Sequence, residues 1–180
     1  SSGVLTGTSY AVESGTISGV LGGTGALTKT TAGTVTISST NSYSGVTTIS
    51  TGTLSVSVLA NGGSNSGIGS SSNSASNLVL NGGTLQYTGA VQSTDRNFTL
   101  GTSGGTIDAS GSGALTLTNS GSVTINGTGT RTLTLAGTGT GTLTGVVAND
   151  GSSNATTLVK SGSGTWILSG ANTFTGTTTV

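Results

Sequence analysis

The chain is dominated by small uncharged residues, with 34 Gly, 39 Thr and 30 Ser among 180. Only 4% of the residues are charged, Lys+Arg balance Asp+Glu at four each, and Pro, Cys, His and Met are absent. The lack of His and Cys excludes the common zinc sites, disulfides and Ser-His-Asp or Cys-His catalysis. No block of like charge predicts a nucleic-acid surface, and no apolar run predicts a transmembrane segment. We therefore expect no cofactor, no metal and no nucleic-acid partner.

Short alternating runs recur along the chain and predict β-strands. In each run two apolar side chains flank one polar residue, which is the period of a half-buried strand. The clearest runs are residues 35–37, 54–56, 85–87, 115–117, 123–125 and 133–135. A flexible Gly/Ser linker is the alternative for such a composition, but a linker has no reason to keep this alternation.

The distance between runs predicts how the strands are arranged. The Gly-Thr pairs that open them lie 19 residues apart between Gly33 and Gly52, and 22 apart between Gly83 and Gly105. Steps of about twenty residues are typical of one coil of a β-solenoid. The longer step between Gly52 and Gly83 contains residues 61–76, which are rich in Asn, Gly and Ser. We interpret this stretch as a loop or a widened coil that is displaced into solvent.

One segment of the sequence occurs twice. Residues 27–49 align without gaps with residues 158–180, and nine of 23 positions are identical. The first copy continues as Ser-Thr-Gly-Thr-Leu-Ser, and joining residue 180 to residue 1 supplies the similar run Ser-Ser-Gly-Val-Leu-Thr. The sequence thus predicts a single solenoid segment over 1–180 with two repeat copies. The first copy covers 27–54, and the second covers 158–180 and continues into residues 1–6 of a following unit. The competing interpretation is an arbitrary boundary in a biased sequence.

The two copies resemble the autotransporter-associated β-strand repeat, also called the passenger-associated transport repeat. The second copy carries its Lys, Gly-x-Gly-Thr, Ser-Gly-x-Asn-Thr-aromatic and Gly-x-Thr elements. In the first copy Thr31 and Ser39 stand where Gly is usual. The resemblance implies a right-handed parallel β-helix on a bacterial surface or in the extracellular space, and we expect about nine coils of about twenty residues.

The function expected from this reading is structural and not enzymatic. We expect a segment of a bacterial extracellular fibre, stalk or adhesin whose partners are neighbouring copies of itself, end to end. The alternative is an adhesin module that binds surface glycan or another cell through residues 61–76 or a side face. A third hypothesis, suggested by Thr-x-Thr elements such as 132–134, is a flat ice-binding face, although these elements do not keep one register.

The repeat positions are the candidate structural residues: Lys29, Gly33, Asn41, Tyr43 and Gly45 in the first copy, and Lys160, Gly164, Asn172, Phe174 and Gly176 in the second. The two lysines predict either a charged patch repeated along a fibre or, more simply, residues that keep a strand end soluble. The aromatic residues predict a ring packed over a turn, or else a platform for sugar. The direction of Trp166, which aligns with Val35, stays open.

Four acidic residues are the only candidates for carboxylate chemistry: Glu13, Asp95, Asp108 and Asp150. Asp95 and Asp108 are thirteen residues apart, which is not one coil, so the paired carboxylates of a glycosidase are not expected. Isolated acids also give too few ligands for calcium. We expect local ion pairs instead, between Asp95 and Arg96 and between Asp150 and Lys160.

Overall fold

The fold is built from short parallel strands. The computed structural model describes residues 3–152 and 154–180, and every strand-to-strand ladder within them is parallel. The described helical structure is a single 3-10 turn, Ala75–Asn77. Helix is disfavoured because Gly, Ser and Thr have low helix propensity, whereas β-branched Thr and Val suit strands.

The chain winds past three faces in the order 1, 2, 3, and we call one such turn a level. Within the described residues, the third and fourth levels have no strand on face 1, and the last two levels have none on face 2. Face 1 carries two separate sheets, the first formed by β1 (Val4–Thr6) and β4 (Val20–Gly22), the second by β11 (Gln92–Thr94), β14 (Leu115–Leu117), β17 (Thr140–Leu143) and β19 (Thr165–Leu168). Face 2 carries β2 (Ser9–Val12), β5 (Ala26–Lys29), β7 (Thr47–Ile49), β9 (Leu78–Leu80), β12 (Thr99–Leu100) and β15 (Thr124–Ile125). Face 3 carries β3 (Gly15–Ile17), β6 (Thr34–Ile37), β8 (Thr53–Val56), β10 (Thr84–Tyr87), β13 (Gly105–Ala109), β16 (Arg131–Ala136), β18 (Thr156–Lys160) and β20 (Thr178–Thr179).

This all-β parallel topology is consistent with the predicted β-solenoid, but the number of levels differs from the prediction. Face 3 has eight strands, so the described residues form eight levels instead of nine. The step between paired residues varies from 16, between Val4 and Val20, to 31, between Leu54 and Leu85. Eight levels at a strand spacing of about 4.8 Å give a stack roughly 38 Å long.

Side chains stack in register between levels, and this stacking forms the core. On face 3 one inward column is buried and apolar at five successive levels: Val35, Leu54, Leu85, Ile107 and Leu135. The neighbouring outward column consists of threonines at the same five levels: Thr34, Thr53, Thr84, Thr106 and Thr134. The period-2 alternation therefore sorts apolar residues inward and threonine outward, as the sequence predicts.

Residues 57–74 widen the fourth level on face 1. The segment begins after β8 and forms an antiparallel bridge between Ser66 and Asn41, with the Ser70 amide donating to the Tyr43 carbonyl at 2.7 Å. Leu59 and Ile68 are buried within it. Of the two predicted forms, a widened coil is therefore correct, and the segment is not simply displaced into solvent.

Candidate functional site

Lys29 is buried, which is the opposite of the solubilising role predicted for it. Its side chain occupies an inward column of face 2 between Val12 and Ile49 and has no exposed surface. The ammonium donates to the carbonyls of Thr31 and Thr51, and it reaches the latter, one level above, at 3.3 Å. Burial lowers the pKa of Lys29, and the nearby Glu13 carboxylate acts in the opposite direction. The lysine thus joins two levels at a corner by binding a backbone carbonyl in each.

Lys160, the equivalent residue in the second copy, makes half of the same arrangement. Its side chain lies on the inward column of face 3 next to Leu135. The ammonium donates to the carbonyls of Ser161 at 3.0 Å and Gly162 at 2.7 Å, both within its own turn. It is only partly buried.

The repeat asparagines also join levels. The side-chain oxygen of Asn41 accepts the Leu21 amide of the level below at 2.8 Å, and its amide group donates to the Gly67 carbonyl above at 3.2 Å. In the second copy Asn172 accepts the Val147 amide below at 2.8 Å, but it donates to the Gly170 carbonyl of its own turn. Both side chains satisfy backbone groups that a corner leaves without a strand partner.

The repeat aromatics pack inside the stack. Tyr43 has no exposed surface, its hydroxyl is 2.8 Å from Thr47 Oγ1, and its ring lies 5.8 Å from that of Tyr10. Phe174 is partly buried against the core. The packed-ring prediction thus fits the geometry, and Tyr43 is not accessible as a platform for sugar.

The repeat glycines lie where two levels approach each other closely. A Cβ on Gly45 would lie closer than 3.0 Å to the backbone of Gly25, and one on Gly176 would make the same contact with Thr156. In the other pair, a Cβ on Gly164 would meet the backbone of Gly139, whereas one on Gly33 would lie 2.7 Å from the side-chain Cβ of Ser14. These positions take glycine because a side chain would push the levels apart.

The structure settles the direction of Trp166. The residue lies on β19 directly above Gly141, and a Cβ on that glycine would come within 2.5 Å of the indole ring. The indole N–H donates to the Ala136 carbonyl at 2.8 Å. Trp166 therefore points inward and rests on the space that glycine leaves in the level below.

Arg96 fastens the widened level, a role that sequence analysis did not find. The residue is 3% exposed, and its guanidinium donates to the carbonyls of Ala60 at 2.8 Å, Ser71 at 2.9 Å and Gly69 at 2.9 Å, with longer bonds to two further carbonyls. Burial lowers the pKa of Arg96 from its ordinary value. The predicted pair with Asp95 does not form, since that carboxylate accepts the Gly62 amide at 2.7 Å instead.

A second buried arginine, Arg131 at the start of β16, performs the same task. Arg131 donates to the carbonyls of Asn126 at 2.6 Å and Gly129 at 2.8 Å and lies 3.6 Å from the Asp150 carboxylate, with both side chains buried. The pKa of Asp150 is well below its usual range because the Ser152 hydroxyl, the Asn154 amide and backbone N–H groups donate to it. The predicted pair between Asp150 and Lys160 is therefore wrong.

A sequence signal for both arginines exists in hindsight. Each arginine accompanies a level longer than the average, since the step from Leu54 to Leu85 is 31 residues and the step from Gly105 to Leu133 is 28. Extra Gly, Asn and Ser residues bring carbonyls that no strand pairs, and a guanidinium has enough donors to bind several of them. A lone Arg next to an insertion is thus a candidate for binding the unpaired carbonyls of that insertion.

The remaining polar residues do not assemble into a reactive site. Asp95 follows a face 1 strand whereas Asp108 lies on face 3, so they share no column. Within residues 3–152 and 154–180 no three His, Cys, Asp or Glu side chains group to hold a metal ion. In the same residues every buried side-chain nitrogen or oxygen has a hydrogen-bond partner, so none is left free to receive a ligand. The helical structure described there includes nothing long and apolar enough to cross a bilayer.

These features define a parallel-stranded repeat protein whose repeat residues join one level to the next. Residues 27–56 and 158–180 match the family model described as Passenger-associated-transport-repeat. These two segments are the copies of the repeat that the sequence resemblance predicted. The chain is 50% identical over 117 residues, 64% of its length, to the protein named Adhesin BmaC autotransporter of Brucella suis biovar 1 (strain 1330). The chain spans 3% of that relative. No solved structure matches it.

Proposed function

We propose that this chain is a non-catalytic structural segment of a bacterial surface or extracellular adhesin, fibre or stalk. It would extend a passenger-like protein by eight levels and continue at its ends into neighbouring copies, in tandem or head to tail. The similarity to an autotransporter adhesin supports a location at the cell surface or outside it. The right-handed coil is part of the same proposal, since parallel crossover connections are almost always right-handed.

The main support for the proposal is that buried charged and polar side chains bind the backbone of the stack itself. Lys29, Asn41, Arg96 and Arg131 are each at most 4% exposed, and each binds backbone groups of a neighbouring level or turn. In a chain with 4% charged residues, this leaves little chemistry for a substrate. The side chains that could have acted on a ligand instead stabilise the stack.

The alternative of a glycan-binding module has no specific support on the surface. Sugar sites commonly use exposed aromatic rings, and none of the six aromatic residues is exposed. The ice-binding hypothesis is weakened in a different way. The threonine column of face 3 continues as Val159, and the next outward column contains Gln86 and Asp108 in register with each other.

The proposal is tested on the dilute, monomeric chain. Small-angle X-ray scattering should give a rigid particle that accommodates eight stacked levels, roughly 38 Å along the stack. The same sample should give no signal on a glycan array, no hydrolysis of acidic or neutral polysaccharides, and no thermal hysteresis. Specific glycan binding would replace the structural role with the adhesin module, and turnover of a polysaccharide would overturn the non-catalytic assignment.

A further inference from the structure

Asn-Gly pairs occur at three places in the chain, residues 61–62, 81–82 and 126–127. In such a pair the backbone nitrogen of the glycine can attack the side-chain amide carbon of the asparagine. The new C–N bond closes a succinimide ring and ammonia leaves, and water then opens the ring to aspartate or isoaspartate. Glycine favours the attack because it has no Cβ to hinder it. A pair therefore reacts where its glycine N–H is free and its asparagine side chain can move.

Folding protects the first pair on both sides. The Gly62 N–H donates to the Asp95 carboxylate at 2.7 Å, so the attacking nitrogen is already engaged. The side-chain oxygen of Asn61 accepts the backbone amide of Asp95 at 2.9 Å, which holds the amide group away from Gly62. Both hydrogen bonds have to break before a succinimide can form at this pair.

The second pair is protected in the same way by the next level. The Gly82 N–H donates to the Gly104 carbonyl at 2.8 Å. The side-chain oxygen of Asn81 accepts the Ser103 amide at 3.1 Å. Here too the nitrogen and the amide group are both held by hydrogen bonds.

The third pair lies on the surface at the end of a strand. Asn126 directly follows β15 and is exposed, as is Gly127. The chain bends here, because Gly127 adopts a φ of +72°. Within the part of the chain that the structure describes, neither the Asn126 side chain nor the Gly127 N–H has a hydrogen-bond partner. Both reacting groups of this pair are therefore available.

Arg131 binds the peptide group that joins this pair. Its guanidinium donates to the Asn126 carbonyl at 2.6 Å and to the Gly127 carbonyl at 2.9 Å. The Asn126 carbonyl and the Gly127 N–H belong to one peptide group, so a cation on the oxygen withdraws electron density from the nitrogen. The N–H proton is then easier to remove, since a nearby positive charge favours the deprotonated form. Removal of that proton has to precede the attack.

We propose that Asn126 is a site of spontaneous deamidation and that Arg131 activates it. The Gly127 nitrogen loses its proton to solvent, bonds to Asn126 Cγ and displaces ammonia, and water then adds to the succinimide. Water that adds at the former main-chain carbonyl gives isoaspartate, whose free carboxylate includes the oxygen that Arg131 already binds. Isoaspartate is therefore the main product expected. This site goes beyond the structural role proposed above and does not depend on it.

The site is tested by ageing the intact folded chain at mildly alkaline pH. Peptide mass mapping measures conversion at each asparagine, and methyl labelling by an isoaspartate methyltransferase identifies the product. Position 126 should convert roughly tenfold faster or more than positions 61 and 81, where hydrogen bonds have to break first. Equal rates at the three positions, or a faster rate at 61 or 81, would overturn the proposed site.

The same chain unfolded in urea is the control for local sequence. Positions 61 and 81 should react faster in urea than in the folded chain, because their protecting hydrogen bonds are lost. Position 126 should not gain, because Arg131 binds its peptide group only in the folded chain. A rate at position 126 that rises in urea would refute the activation by Arg131.

Two variants test the protecting and reacting groups directly. Asp95→Ala removes the acceptor of the Gly62 N–H, so Asn61 should deamidate faster in the folded variant while Asn81 and Asn126 keep their rates. Asn126→Gln should abolish isoaspartate in its own peptide, since the longer side chain closes a less favourable ring; circular dichroism checks that both variants fold. An unchanged rate at Asn61, or isoaspartate that persists in the Asn126→Gln peptide, would contradict the assignment. The comparison with urea needs neither variant.

Discussion

Replacing Arg96 by Met should release the widened level while leaving the rest of the stack folded. Met keeps the apolar stem of the side chain but removes all the guanidinium donors. Three of the lost bonds are shorter than 3.0 Å, those to Ala60, Gly69 and Ser71. In the variant these carbonyls would have to find water or stay unpaired inside the protein.

The size of the effect follows from those three bonds. A hydrogen bond to a charged group contributes about 1.5 kcal/mol or more, so the folded form of residues 57–74 should lose about 4.5 kcal/mol. Because residues 57–74 can open while the rest of the stack stays folded, the global free energy of unfolding should fall by less than this. We therefore expect a large local effect and a smaller change in the global free energy of unfolding.

Hydrogen exchange measures the local term and urea unfolding the global one. Amides of the insertion, such as Gly67 and Ser70, should exchange about a hundredfold or more faster in the Arg96→Met variant, while those of β13 and β16 keep their protection. Lys160→Met is the matched control, since Lys160 is partly exposed and donates only within its own turn. Unchanged exchange in the insertion, or equal effects of the two variants, would show that Arg96 does not fasten this level.

Three further predictions concern a glycine contact between levels, the Asp150 carboxylate and the packing of Trp166. Gly45→Ala should destabilise the chain by about 2 kcal/mol in urea unfolding because its Cβ meets the backbone below, whereas Gly19→Ala, with nothing within 4 Å, should be nearly neutral; equal midpoints would contradict the close approach. Asp150→Asn should make the free energy of unfolding fall less steeply as the pH is lowered. Folding depresses the pKa of Asp150, so its carboxylate stabilises the protein above the unfolded value of about 3.9 and loses that contribution as the pH falls. Parallel curves of unfolding free energy against pH for wild type and variant would refute this prediction. Gly141→Ala should displace the indole of Trp166 and shift its emission to longer wavelength, and an unchanged spectrum would place the ring elsewhere.

Sequence periodicity located the strands well wherever apolar residues alternate. The runs at 35–37, 54–56 and 85–87 lie inside β6, β8 and β10. These runs could be predicted because each buries one column of side chains, and burial fixes the alternation. Short strands with little burial escaped notice, such as β1, whose three residues are all exposed.

The number of levels was less predictable for a physical reason. A solenoid needs a fixed number of strands per level but accepts corners of different length, since a longer surface loop costs little additional closure entropy. Dividing 180 residues by twenty ignores this freedom and overestimates the count. Insertions at 57–74 and around 126–130 take up the residues of the missing level.

The charged residues were the hardest to place from sequence. Lys29 at the end of an alternating run looks like a solvent-facing residue, because burying an ammonium is costly without partners. The partners are backbone carbonyls of two adjoining corners, and only the stacking of levels brings those corners together. The same reasoning applies to Arg96, whose acceptors lie 25 or more residues away in the sequence.

The two repeat copies lie on different faces of the stack, which bears on whether the repeat displays a surface or joins levels. The first copy places its lysine strand, β5, on face 2, whereas the second copy places the equivalent strand, β18, on face 3. A patch displayed along a fibre would need the copies on one face, so this rotation argues against a repeated surface patch of lysines. A corner that bonds its own level to the next works equally well on any face. The repeat therefore encodes how levels join, which is the property required of a segment that extends a longer protein.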